Sequence, residues 1–194
     1  MGKKKSFSIS KFIGLLLIIA GLSTIGVVLY MNYKGTSENK TKISDFEQQL
    51  NNPSDEETDE DYLVGDTIGI LTIKKIDLKV AVTEGAELED IKSTVGHFEN
   101  TAMPGEVGNC SIAGHRSYTY SEHFNRLDEV EIGDKVKIKT LKGTFTYEIN
   151  DIFIVDPEDV YVLDPTDTPT ITLITCTPKN TGKQRLILKG DLVK

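Results

Sequence analysis

The side chains suited to covalent or acid–base chemistry are few in this 194-residue chain, which has two cysteines and three histidines. They are Cys110, Cys176, His97, His115 and His123. No CxxC pair, HExxH sequence or phosphate-binding glycine-rich loop is present. A zinc site needs more closely spaced ligands than these, so we predict neither a metal site nor a bound cofactor. The candidates for chemistry are therefore a cysteine and a histidine.

The two cysteines occupy different kinds of position. Alternation along residues 109–115 places Cys110 on one face of a predicted strand and His115 on the opposite face. Cys176 ends a strand rich in β-branched residues just before Pro178, and functional side chains are often presented where a strand meets a loop. We predict that Cys110 is a small core residue and that Cys176 is available for chemistry. A structural disulfide between the two cysteines is the alternative.

Other residues of suitable type are predicted to have no catalytic role. His97 and His123 are interpreted as structural or surface residues, and Arg116 as the partner in a surface salt bridge. Glu99 and Glu106 flank one loop, but two carboxylates in an acidic domain are weak support for a cation site.

The N-terminal region has the composition of a membrane anchor. From Phe12 to Tyr33 there are 22 consecutive residues without a formal charge, and a helix of about 20 residues crosses the hydrocarbon core of a bilayer. Four lysines precede this run, so residues 1–11 are predicted to be a cytoplasmic tail and everything after Tyr33 to face outward. A cleaved signal peptide is the alternative, but its apolar stretch is usually about 7–15 residues and ends at a small-x-small site, which is not found after Tyr30.

Residues 34–66 are predicted to be a solvated stalk between the anchor and a folded domain. Six of the seven residues 55–61 are acidic, and such a run does not pack into a core. A helical turn is predicted where apolar residues recur at helical spacing, at Ile43, Phe46 and Leu50. After residue 34 the chain holds 17 basic and 30 acidic side chains, a net charge of −13. This charge disfavours nucleic acid as a partner, because its binders cluster Lys and Arg.

Residues 67–194 have the pattern of a single, mainly β domain. Segments rich in Ile, Val, Thr, Tyr and Phe alternate with Gly, Asp, Asn and Pro. Strands are predicted at 67–74, 78–83, 109–115, 134–140, 143–155, 169–176 and 183–193. Helical segments are predicted at 87–93 and 119–127. Many short strands with few helices indicate an antiparallel barrel or sandwich.

Three sequence features occur in an order that resembles one enzyme family. They are Ala-Gly-His-Arg at 113–116, Thr-Leu-Ile-Thr-Cys-Thr-Pro at 172–178, and Arg185 nine residues after the cysteine. Together they resemble the sortases, the cysteine transpeptidases of Gram-positive cell surfaces, whose Thr-Leu-x-Thr-Cys motif is complete here. The resemblance covers roughly residues 67–194. It implies the sortase fold, a closed eight-stranded β-barrel with short helices.

Within the family the sequence is most similar to class D. The shared features are Tyr-Thr-Tyr at 118–120, Phe-Asn-Arg-Leu-Asp at 124–128, Gly-Asp at 133–134 and Asp-Pro at 164–165. The Thr-Cys-Thr-Pro sequence also resembles class C, the pilus-polymerising sortases, and class C is the alternative. Its members typically have a lid with an Asp-Pro-aromatic motif, whereas residues 35–66 contain only Asn-Pro-Ser.

The resemblance implies roles for three residues and a two-step reaction. Cys176 is the expected nucleophile, which attacks a sorting-signal peptide bond of the Leu-Pro-x-Thr-Gly type and forms a thioacyl-enzyme. His115 is the expected proton donor and acceptor, and Arg185 the expected stabiliser of the oxyanion or the substrate. The implied partners are proteins with such sorting signals and an amine of the cell wall or its precursor. Two alternatives remain: a hydrolase with the same three residues, and an anchored, non-enzymatic β domain with a disulfide.

Overall fold

A long helix and eight strands make up most of the part of the chain that the computed structural model describes, namely residues 9–52, 62–87, 91–116, 123–179 and 181–194. Helix α1 spans Ile9–Asn51. The strands are β1 (Thr67–Ile73), β2 (Leu78–Glu84), β3 (Val95–His97), β4 (Gly108–Ala113), β5 (Lys135–Thr140), β6 (Gly143–Val155), β7 (Pro169–Thr177) and β8 (Gln184–Leu192). Short 3₁₀ helices lie at Lys74–Ile76, Leu127–Glu129 and Val160–Leu163.

The strands form a closed barrel in the order β1-β2-β3-β4-β7-β8-β6-β5. This closed eight-stranded barrel confirms the fold that the family resemblance implied. The pairs β2/β3 and β4/β7 are parallel, and the other neighbouring pairs are antiparallel. The expectation of a purely antiparallel sheet is therefore wrong at two pairs. In both, the paired strands are not joined by a tight turn, so hairpin signals in the sequence do not report them.

One strand and two helical segments differ from the sequence-based prediction. Strand β3 was not predicted, because its three residues are too few for an alternation pattern to emerge. The helical predictions at 87–93 and 119–127 lie partly outside the described residues. Their described parts are bends and turns at 91–94 and 123–126, followed by the 3₁₀ helix Leu127–Glu129.

The barrel interior is filled by one face of each strand. In β5, Val136 and Ile138 are buried while the three lysines between and beside them are exposed, as period-two alternation requires. Tyr147 of β6 is also buried, and its hydroxyl oxygen accepts a hydrogen bond from the Gly105 backbone N–H at 2.8 Å. The interior therefore positions the strands mainly through apolar packing.

Strand β7, in which Cys176 is the residue before the last, is buried on both faces along its middle. Leu173 points into the barrel core. Ile174 belongs instead to a second apolar cluster outside the barrel wall, which is formed by Val155, Val162, Ile174 and Ile187. A strand packed on both sides resists displacement, because either direction of movement breaks close contacts.

Helix α1 continues beyond the predicted anchor and packs against the barrel. Ile43 and Phe46 are buried against Ile70 of β1 and Ala81 of β2. The side-chain oxygen of Asn39 accepts a hydrogen bond from the Ala81 backbone N–H at 2.9 Å. The pairing of β2 with β3 begins at Val82, one residue after Ala81. Asn39 therefore supplies the acceptor that β3 does not provide to the Ala81 N–H.

The expected stalk over 34–66 therefore differs from the structure in its first half. Residues 34–51 are helical, and the apolar positions that predicted one turn pack against the barrel and extend the helix. The acidic run at 55–61 lies outside the described residues. In chain order it follows the docked helix and precedes β1, so it connects two elements that already touch each other.

Candidate active site

Cys176 and Arg185 are register partners on the antiparallel strands β7 and β8. Side chains of directly opposed residues lie on the same face of a sheet, with Cβ atoms about 4.5–5.5 Å apart. The cysteine and the arginine are thus neighbours at one end of the barrel wall. The nine-residue interval between them spans the last residue of β7, the connection 178–183 and the first residue of β8.

His115 reaches the same end of the barrel through the parallel pairing of β4 with β7. Ala113 is the register partner of Ile174. The pairing continues for one more residue, because the Gly114 N–H donates to the Ile174 carbonyl at 3.1 Å. His115 lies two residues beyond Ala113, and Cys176 lies two residues beyond Ile174. Continued in the same register, the two residues are therefore level with each other. The three residues named by the sequence resemblance therefore lie together on three adjacent strand ends.

The backbone around His115 is held by close packing. A Cβ atom on Gly114 would meet Phe124 Cδ2 at 2.6 Å and Val95 Cγ1 at 2.9 Å, so only glycine fits at this position. The Thr175 hydroxyl donates to the Gly114 carbonyl at 2.8 Å, and the Phe124 N–H donates to the His115 carbonyl at 3.3 Å. The Gly-His sequence is thus explained by the space available beside the ring of Phe124.

The two thiols have different surroundings, and neither forms a disulfide. Cys176 is partly exposed, whereas Cys110 is 1% exposed in the barrel core. Burial raises the pKa of the Cys110 thiol, and the nearby carboxylates Glu84 and Glu106 raise it further. Cys110 pairs with Ile171, five residues before Cys176, which separates the two cysteines by about 16 Å along the strand. The disulfide alternative is therefore wrong, and Cys110 is a core residue.

Arg185 is partly exposed and contacts the turn between β7 and β8. Its Nη1 donates to the Gly182 carbonyl at 2.9 Å and to the Gln184 carbonyl at 3.2 Å. No carboxylate pairs with it among the residues that the structure describes. Within the described ranges its Nε and Nη2 groups donate no hydrogen bond.

The position of Arg116 differs from the predicted surface salt bridge. The residue does form an ion pair, with Asp128, but its own side chain is buried and lies below the end of β7. Period-two alternation places Cys110 and Gly114 on the core side of β4. Two residues further on, the same alternation places Arg116 on that side as well. That signal was present in the sequence.

His97 is buried and bonded on both ring nitrogens. Nδ1 lies 2.9 Å from Glu84 Oε2, and Nε2 lies 3.0 Å from both the Ala102 carbonyl and the Thr101 hydroxyl. Because a carbonyl oxygen only accepts, Nε2 carries a proton. These contacts join β2, β3 and the following loop, a structural role in agreement with the sequence-based interpretation.

His123 lies near the candidate site and is partly buried. Its Nε2 donates to the Ser93 carbonyl at 2.8 Å. Burial lowers the pKa of His123, and the proximity of His115 lowers it further, while the Ser93 hydrogen bond opposes both effects. Within the described ranges no group of three or more His, Cys, Asp or Glu side chains is arranged to hold a metal ion.

A closed eight-stranded barrel with a cysteine, a histidine and an arginine at one end is the arrangement of a cysteine-dependent enzyme. The family model of the sortase domain matches residues 71–193. The chain therefore belongs to the sortase family.

Relatives in classes D and E resemble the chain over different lengths. The solved structure of a Sortase D5 transpeptidase from Clostridium perfringens is 42% identical, with a TM-score of 0.74 over 81% of this chain and 99% of that one. Sortase D of Bacillus subtilis is 36% identical over 109 residues, 56% of this chain and 49% of its own length. Sortase SrtE1 of Streptomyces coelicolor is 31% identical over 146 residues, 67% of this chain and 41% of its own length. The chain thus matches less than half of each of these two curated relatives and is most similar to class D.

Proposed function

We propose that the chain is a membrane-anchored cysteine transpeptidase of the class D type. It cleaves a sorting signal of the Leu-Pro-x-Thr-Gly type and transfers the attached protein to an amine of the cell wall or its precursor. The observation that supports this proposal most directly is the convergence of Cys176, His115 and Arg185 at the ends of β7, β4 and β8. These are a nucleophile, a proton carrier and a cationic donor, the three groups that acyl transfer requires.

The proposed reaction proceeds by two acyl transfers. The Cys176 thiolate attacks the carbonyl carbon of the scissile peptide bond, and the C–N bond breaks as His115 gives a proton to the leaving amine. The product is a thioester between Cys176 and the substrate. An acceptor amine then attacks this thioester, His115 takes a proton from it, and the C–S bond breaks to release the new amide. No oxidant, reductant or metal takes part in either step.

Arg185 is proposed to stabilise the negative charge that develops on the substrate carbonyl oxygen. Among the described residues its guanidinium contacts backbone carbonyls at Gly182 and Gln184 and no carboxylate, so binding a substrate oxygen would not break an ion pair with any of them. A charged donor preorganised beside the reacting carbonyl is typically worth about 10²–10³ in turnover.

The proposed location of the enzyme rests on α1. This helix is long and apolar enough to cross a bilayer, with residues 12–33 as the spanning segment. The lysines of residues 1–11 support a cytoplasmic N-terminus by the positive-inside rule. The barrel then lies outside the cell, where sorting-signal proteins and wall amines are available.

Peptide turnover by two cysteine variants tests the proposal. The parent protein should cleave a Leu-Pro-x-Thr-Gly-type peptide, and mass spectrometry should detect a thioester on Cys176. Cys176→Ala should remain folded without turnover. Cys110→Ala is the matched control and should keep its activity, because this thiol is buried and about 16 Å from Cys176. Equal loss of turnover in both folded variants contradicts the proposal.

The acceptor determines which transfer reaction the enzyme performs. Peptide cleavage is measured with no added amine, with an amine that mimics a wall precursor, and with a lysine-containing pilin-type peptide. A new amide to the wall-type amine is the expected result. A preference for the lysine side chain assigns the class C reaction, and a free acid formed at the same rate in every case assigns a hydrolase.

A further inference from the structure

Arg116 places a buried guanidinium directly below the cysteine-bearing strand end. The residue is 5% exposed. Its Nη1 donates to the Cys176 carbonyl at 3.3 Å and to the Thr177 hydroxyl at 3.1 Å. Its Nη2 pairs with Asp128 Oδ2 at 2.7 Å. The Arg116 side chain thus links the segment that carries His115 to the end of β7 and to the 3₁₀ helix Leu127–Glu129.

The contact with the Cys176 carbonyl takes the place of a missing backbone hydrogen bond. In the parallel pair β4/β7 the Gly114 N–H donates to the Ile174 carbonyl. Carbonyls two residues apart on a strand point to the same side, so the Cys176 carbonyl also faces β4. β4 ends at Ala113, and the next donor to that carbonyl is the Arg116 side chain.

The shape of the guanidinium is suited to this position. Its two terminal nitrogens serve opposite partners, β7 on one side and Asp128 on the other. None of the described residues accepts a hydrogen bond from the buried Nε, so the orientation of the group depends on these two sets of contacts. Asp128, half exposed and 3.8 Å from Lys179 Nζ, supplies the negative charge that a buried arginine requires.

We propose that Arg116 is a positioning residue for catalysis, which sets the Cys176 end of β7 relative to His115. It contacts the backbone of Cys176 and the side chain of Thr177, and it does not touch the reacting sulfur. Because Arg116 and His115 are consecutive, fixing one to the Cys176 carbonyl fixes the distance between the imidazole and the thiol. This inference rests on the proposed function, in which these two groups act as a pair.

Steady-state kinetics of Arg116 variants test the inference. Arg116→Gln should lower kcat by about 10–100-fold, because a displacement of about 1 Å between reacting groups costs about that much. KM for the peptide should stay within about threefold, since Arg116 does not contact the substrate. Arg116→Lys should also lower kcat, because an ammonium group lacks the planar fork that serves two partners. Asp128→Asn should give a smaller decrease of the same kind.

A control and a second measurement separate positioning from simple stabilisation. Arg126→Gln removes an exposed arginine that pairs with Glu129 on the same segment, and it should leave kcat unchanged. All rates are divided by the number of active sites titrated with a thiol reagent, so that partial unfolding does not lower kcat. Hydrogen exchange of residues 174–179 should accelerate in Arg116→Gln and Asp128→Asn and not in Arg126→Gln.

Two outcomes overturn the inference. One is a kcat per titrated site in Arg116→Gln within about twofold of the parent, and the other is unchanged hydrogen exchange at 174–179. If Arg116→Gln does not fold, Thr177→Val removes one acceptor at similar volume and should lower kcat without changing KM. Turnover that persists in Cys176→Ala refutes the proposed function instead, and the hydrogen-exchange result still reports whether Arg116 holds the end of β7.

Discussion

At the scale of single residues, the candidate site combines two residues that are close in sequence with one residue from a segment far from them in sequence. Cys176 and Arg185 belong to the same antiparallel pair, so their proximity follows from local structure. His115 comes from β4, about 60 residues earlier, and depends on the closure of the barrel. Any change that loosens β4 from β7 should therefore separate His115 from the Cys176 thiol and leave Arg185 in place beside it.

Replacement of Arg185 by lysine tests whether its geometry or only its charge matters. We expect Arg185→Lys to impair turnover nearly as much as Arg185→Ala, by about 10²–10³. The reason is that a lysine supplies a single ammonium group, whereas a guanidinium presents several donors in one plane. Turnover of a Leu-Pro-x-Thr-Gly-type peptide is measured after circular dichroism shows that both variants are folded. A lysine variant within about tenfold of the parent would reduce Arg185 to a general positive charge.

His123 should make the stability of the protein depend on pH. Burial lowers its pKa in the folded state, so the unfolded chain binds a proton more readily than the folded protein. As the pH falls through about 6.5, the ordinary pKa of histidine, proton binding favours the unfolded state and the free energy of unfolding decreases. Urea unfolding at pH 7.5 and pH 5.0 measures this decrease in the parent and in His123→Gln. The decrease should be smaller in the variant, and an equal decrease in both contradicts the assignment.

At the scale of elements, alternation and turn residues predicted most of the barrel. β5 shows why: Val136 and Ile138 alternate with exposed lysines, and the sequence reports both the strand and its inner face. β3 escaped prediction because three residues contain too little pattern, and its pairing with β2 and β4 comes from tertiary structure. The family motif named His115 and Cys176, and alternation also indicates the inner face for Arg116, but the contact of its guanidinium with the Cys176 carbonyl depends on tertiary structure.

Helix α1 shows a second limit of sequence patterns. Ile43, Phe46 and Leu50 have helical spacing, which predicts a helix but does not identify its partner. Asn39 carries no apolar signal at all, and its two hydrogen bonds to β2, with the Lys79 carbonyl and the Ala81 N–H, depend on where the helix lies. A polar segment next to an apolar anchor was therefore interpreted as a linker, although its one apolar face packs on the barrel.

At the scale of the whole molecule, two truncations should behave differently. Removal of residues 1–34 should yield a soluble, active protein, because the helix from Asn39 to Leu50 still covers the barrel. Removal of residues 1–51 also deletes Phe46 and Ile43 and exposes Ile70 and Ala81. We expect a free energy of unfolding lower by about 3 kcal/mol or more, the usual effect of deleting a buried aromatic side chain. Urea unfolding compares the two proteins, and equal stability would show that α1 contributes nothing to the barrel.

The docked helix also limits where the enzyme can work. A flexible linker of 33 residues, the length of 34–66, has a root-mean-square end-to-end distance of about 30 Å, which is how far a tethered domain could lie from its anchor. Here α1 has buried residues from Gly35 onward and is hydrogen-bonded to the barrel at Asn39, which is six residues beyond Tyr33, a rise of about 9 Å. With residues 12–33 in a bilayer, as proposed, the end of the barrel that carries Cys176 stays within a short distance of the lipid surface. Under the proposed function, substrates held at that short distance from the lipid meet the site at high local concentration, whereas sorting signals displayed farther into the wall stay beyond its reach.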